Sequence, residues 1–177
     1  KTFSLIDVGI EGLKNNLKVA MWSLEMSRTN MIKRVWKALS GQCTEDMEIE
    51  IPYFEEDGEK WRIETKTINK KASTVLEVKK KQKSLKRLFR GGAFRIYAEP
   101  AYSLTVEGLE NQLDDLAYEG FYPDIIIIDY ADIMAPSDKT EYRQQIDGIW
   151  KRLRALAQKR KAVVFTASQT NRGAISR

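Results

Sequence analysis

The chain has 177 residues, 42% hydrophobic and 31% charged, the composition of one globular domain rather than a disordered or fibrous chain. It has no histidine and a single cysteine, Cys43, which excludes histidine triads, imidazole metal ligands, an intrachain disulfide and cysteine zinc sites. Thirty basic against 25 acidic residues give a net charge of +5, compatible with a polyanionic partner; the lone cysteine suits a reducing compartment, and nothing resembles a signal peptide or a bilayer span.

From Thr2, the apolar residues Phe3, Leu5, Ile6, Val8, Ile10 and Leu13 predict a mostly buried helix ending near Asn15-Asn16. Residues 19–24 form a continuous apolar run, expected of a strand covered on both faces. Ser27 is placed to cap a second helix, striped by Met31, Ile32, Val35, Trp36 and Leu39 and stopped by Gly41. Residues 43–92 break this rhythm. Alternation over 47–54 and 61–68 around Asp57-Gly58 predicts a hairpin. Residues 70–90 then carry nine basic residues against one acid, Glu77, with Val75, Val78, Leu85, Leu88 and Phe89 on one helical face. That stretch reads as a solvated amphipathic helix, with a DNA contact as the alternative.

Residues 94–98 are a short strand, and Thr105 caps a helix marked by Val106, Leu109, Leu113, Leu116 and Ala117. Pro123 precedes a strand over 124–129, Ile146 to Ala157 recur at helical spacing, and 162–167 read as a final buried strand. Strands alternating with helices predict an α/β fold with a mainly parallel sheet, which binds ligands beyond the carboxyl ends of its strands. The chain opens on Lys1-Thr2 directly ahead of a helical pattern and reads as a fragment of a longer protein.

At those strand ends stand Glu25, Asp129 after four isoleucines, and Ser168-Gln169. A lysine, a hydroxyl and free N–H groups at the start of the first helix supply half of a phosphate cradle. The division of labour is then coherent. Lys1 neutralises outer phosphates, Thr2 and Asp129 hold Mg²⁺, Glu25 polarises an attacking water and Gln169 senses the terminal phosphate.

WSLEMS at 22–27, RIYAEPAYSLTVEGLE at 95–110, IIIIDYADIM at 125–134, YRQQIDGIWKRLRALAQ at 142–158 and ASQTNRG at 167–173 follow Lys1-Thr2 in order. Together they resemble the RecA-like ATPase domain of DnaB-type replicative helicases, over residues 1–42 and 93–177. The resemblance implies that Lys1 and Thr2 end the Walker A motif, that Asp129 is the Walker B acid, Glu25 the catalytic carboxylate and Gln169 the phosphate sensor. It implies one RecA-like domain carrying 43–92 as an insertion, with ATP and Mg²⁺ as cofactors. It further implies a ring, usually a hexamer, around single-stranded DNA, with a primase or loader as a further partner, in the cytoplasm of a bacterial or phage-infected cell. Segments 136–142 and 171–177 would approach the DNA, with Arg143, Asn171, Arg172 and Gly173 as candidate contacts. The phosphate-loop glycines of the family do not occur in this sequence, Asp132 stands where the family often has glutamine, and Thr170 where leucine is usual. A recombinase or clock-type ATPase of the same fold, and a non-catalytic DNA-binding or loader protein, are the alternative readings.

Overall fold

The computed structural model describes residues 2–43, 45–57, 60–88, 92–137 and 141–169. In chain order the elements are α1 (Thr2–Lys14), β1 (Lys18–Ser23), α2 (Arg28–Ser40), β2 (Met47–Asp57), β3 (Lys60–Lys70), α3 (Val75–Leu88), β4 (Ala93–Ala98), α4 (Val106–Tyr118), β5 (Ile125–Asp129), a 3₁₀ turn (Ala131–Ile133), α5 (Tyr142–Arg160) and β6 (Val163–Thr166). They divide into two compact units, Lys1–Val35 with Arg87–Arg177, and Trp36–Lys86.

The first unit is built on a four-stranded parallel sheet in the order β4-β1-β5-β6, as the alternation of strands and helices predicts. β1 and β5 occupy the middle. All five residues of β5 are buried, which is why its sequence is an unbroken isoleucine run rather than an alternation. One core joins Trp22, Ile126 and Ile128 to Leu109 and Leu113 of α4 and Leu153 and Leu156 of α5. Each such side chain contributes roughly 1.5–3 kcal/mol by leaving water. Trp22 stacks on Tyr97 at 5.0 Å between ring centroids, and its indole N–H reaches Gln112 Oε1 at 2.5 Å. α4 starts at Thr105, whose hydroxyl accepts from the Gly108 N–H at 3.0 Å.

α1 lies unusually close to the sheet because two of its buried positions are glycines. A Cβ at Gly9 would overlap the Phe94 ring, and one at Gly12 would overlap Ile125. The helix is less enclosed than its pattern predicts: Phe3 is exposed, beneath the Arg34 guanidinium at 5.0 Å.

β6 also departs from expectation. It is not a buried strand. Val163 and Phe165 are exposed while Val164 and Thr166 are half-buried, because among the described residues β6 pairs only with β5 and lies at the sheet's edge. Between β6 and α5 is a hollow of about 510 Å³, lined by Trp150, Leu153, Ala157 and Val164 among others.

The second unit holds the hairpin, whose strands are longer than the alternation indicates: β2 and β3 pair without interruption from Met47–Lys70 to Asp57–Lys60. α3 begins with a reciprocal capping box, Thr74 N–H to Glu77 Oε2 at 2.7 Å and Glu77 N–H to Thr74 Oγ1 at 3.3 Å. These bonds hold the exposed Glu77 carboxyl below its usual pKa. Among the described residues no helix is long and apolar enough to cross a membrane.

Candidate active site

Backbone bonds tie the strand exits together before any side chain is considered. Leu24 N–H donates to Asp129 O at 2.8 Å, and Glu99 N–H to Ser23 O at 3.0 Å. The turn after β1 is fixed by Met26 N–H donating to the buried Ser23 hydroxyl at 3.0 Å, which leaves Glu25 exposed at its apex. Around this edge runs a groove of about 710 Å³, lined by Glu25, Arg28, Glu99, Tyr130 and their neighbours.

Asp129 ends β5 with its side chain fully buried, and neither carboxylate oxygen has a hydrogen-bond partner. Burial is the main reason its pKa is raised, and the nearby Glu25 charge raises it further. The Thr2 hydroxyl, close by but outside hydrogen-bond geometry, and the Arg34 guanidinium oppose that shift. Thr2 itself is buried at the amino terminus of α1. A buried, unpartnered carboxylate carries a large desolvation cost that an arriving cation would relieve.

The third strand tip is held by a different acid. Asp132 Oδ2 accepts from the Ser168 hydroxyl at 2.7 Å and the Gln169 N–H at 2.8 Å, while Oδ1 accepts from the Trp150 indole at 3.3 Å. Gln169 Oε1 accepts from the Tyr130 hydroxyl at 2.9 Å. Tyr130 titrates above its usual value, chiefly through desolvation and then through the charge of Glu25, so it remains a neutral donor near pH 7.

Thr2, Glu25 and Asp129 therefore stand together, and Gln169 joins them through Tyr130 and the turn at Asp132. Arg143 is exposed on the first turn of α5, beside Asp147 and Trp150, where it lines a shallow hollow. Lys1, Asn171, Arg172 and Gly173 lie outside the described residues. Sequence reasoning missed the roles of Tyr130, Arg34 and Asp132. The only signal for Asp132 was its departure from the family's usual glutamine.

Among the described residues no three His, Cys, Asp or Glu side chains cluster as a metal cage. Mg²⁺ does not need one, since it favours one or two carboxylates, waters and substrate phosphates. The unpartnered oxygens of Asp129 beside the Thr2 hydroxyl fit that donor set.

A family model described as "DnaB-like helicase C terminal domain" matches residues 4–177, running through the hairpin segment as well as the sheet. Among solved structures, the ATPase domain of a helicase is similar over 100% of this chain, with a TM-score of 0.68 and 17% sequence identity. The chain spans 55% of that structure's length, and the likeness is one of fold. No curated protein matches the chain.

Proposed function

The chain belongs to the DnaB-like helicase C-terminal domain family, and on that premise we propose that the strand tips form the ATP-hydrolysing centre of a DNA-translocating motor. The observation that carries the reading is Asp129: a wholly buried carboxylate with both oxygens unpartnered, facing Thr2 and flanked by Glu25. In this reading Thr2 and Asp129 hold Mg²⁺, Asp129 directly or through water. When bound, the ion neutralises charge developing on the phosphate oxygens. Lys1 lies against the outer phosphates. Glu25, exposed at the mouth of the groove, orients the attacking water and takes up its proton. Gln169, aimed by Tyr130 and Asp132, meets the terminal phosphate and carries its state to the loop after β6.

The wider reading follows the family. The domain is a single RecA-like unit with residues 43–92 inserted. It assembles as a ring, hexameric in the usual case, with ATP between subunits and single-stranded DNA through the centre. Arg143, Asn171, Arg172 and Gly173 contact that DNA, a primase or loader is a further partner, and the setting is cytoplasmic.

Glu25→Gln in the parent protein tests the centre. It is expected to lower ATP turnover by about 10²-fold or more while nucleotide binding persists, read by steady-state hydrolysis and by fluorescent-nucleotide titration. Retained turnover removes Glu25 from its role. Displacement of a strand from a forked substrate with a free tail separates a helicase from other ATPases of this fold.

A further inference from the structure

The ribbon of β2 and β3 presents two chemically different faces. Because successive residues alternate sides and the register is unbroken, Glu48, Glu50, Phe54 and Glu56 share one face with Trp61 and Ile63. Phe54 lies opposite Ile63, and Trp61 opposite Glu56. The exposures are 72% for Phe54, 66% for Trp61 and 68% for Ile63, making an apolar cluster at the outer end of a ribbon that has no third strand among the described residues. A two-stranded ribbon is at best marginally stable in water without a cover on its apolar face. Three acids rim this cluster, and no basic residue lies on that face among the described residues. Such a surface repels phosphate backbones and selects a basic partner.

A partner with that chemistry exists on the same chain. In α3, Leu85 is buried and Val78 half-buried on one side. Nine residues before Leu85, and so on the opposite side of the helix, stands Leu76, 71% exposed. Lys79, Lys80 and Lys83 share the Leu76 face and are all exposed. The outward face of α3 is thus aliphatic at its start and lysine-rich beyond. Lysine stems can cover the Phe54 and Trp61 rings while their ammonium groups reach Glu48, Glu50 and Glu56.

We propose that the acidic, aromatic face of the β2–β3 ribbon is a docking surface for the basic outward face of α3 in a second copy of this chain. A patch that fits a different patch on the next copy is a head-to-tail contact, and repeats around a ring or along a filament. This inference goes beyond the motor reading and does not rest on it.

The test is a charge swap in the full-length protein, read by sedimentation velocity over a concentration series. The ribbon variant carries Glu50→Lys with Glu56→Lys, and the helix variant carries Lys80→Glu with Lys83→Glu. Each alone is expected to assemble about tenfold more weakly than the native protein, because like charges then meet across the contact. An equimolar mixture of the two regains assembly, since the reversed ribbon fits the reversed helix and the native pair is also retained. Far-UV circular dichroism checks folding, and Glu50→Gln with Glu56→Gln, which removes charge without reversing it, gives a smaller loss in the same direction. Unchanged assembly in both reversed variants overturns the proposal, as does a mixture that fails to recover. A helix variant that assembles normally but loses affinity for a fluorescein-labelled oligothymidine also overturns it, and makes α3 a nucleic-acid contact instead.

Discussion

Ile127 and Ile63 are the same residue type in the same secondary structure, yet the first is fully buried in β5 and the second is 68% exposed on β3. The difference comes from neighbours. β5 has strands on both sides and helices packed against it, whereas β3 has one partner strand among the described residues. The same contrast governs the acids. Asp129 bears a desolvation cost because the sheet closes around it, while Glu50 and Glu56 on the ribbon stay in water. The buried region can hold a carboxylate in a costly state ready for a cation; the exposed region can only offer charge to a partner.

Four substitutions probe that contrast, in descending order of expected effect. Ile127→Ala should cost about 3–4 kcal/mol in urea unfolding, since it leaves a cavity at the centre of the sheet. Asp132→Ala should lower turnover by up to about 10²-fold while nucleotide affinity changes little, because Gln169 loses its anchor by a small displacement. An equal loss of nucleotide binding would make Asp132 part of the binding surface rather than a positioning residue.

Asp129→Asn should stabilise the metal-free protein at pH 7 by about 1–2 kcal/mol, because it removes an unpartnered buried charge. The sign follows from the raised pKa. Below the ordinary value of 3.8 the carboxyl is neutral in both folded and unfolded states and the cost vanishes; it grows as pH rises from that value towards the folded-state one. The advantage of asparagine in thermal melts should therefore shrink as pH falls, and added Mg²⁺ and nucleotide should stabilise only the native protein. Smallest of all, Ile63→Ala should change stability by less than about 0.5 kcal/mol at concentrations where the chain is unassembled. A larger loss there would mean that the ribbon is already covered within one copy.

Much of the sheet was legible because burial on both faces writes itself as an apolar run. IIIID announced both the central strand and the acid at its tip, and the resemblance supplied the family. β6 misled because VVFT carries the composition of an interior strand, and whether a strand is interior depends on what lies beside it. The ribbon's extra length was hidden because Glu55, Glu56 and Asp57 break the apolar alternation, although cross-strand pairing carries on through them. The role of Asp132 was invisible for another reason. Its partners Ser168 and Gln169 lie 36 and 37 residues away, and only the folded loops bring them within reach.

The two glycines of α1 carry a mechanical implication. With no side chain at Gly9 or Gly12 to act as a spacer or a roller, the helix axis is clamped to β4 and β5 and cannot slide or rock over them. Thr2 and Asp129 then keep a fixed separation and travel as one block. Whatever stroke the protein makes must be taken up at Glu25, Gln169 and the loops that carry them. A bulky residue at either glycine would lift the helix like a wedge and pull the hydroxyl away from the carboxylate without touching either.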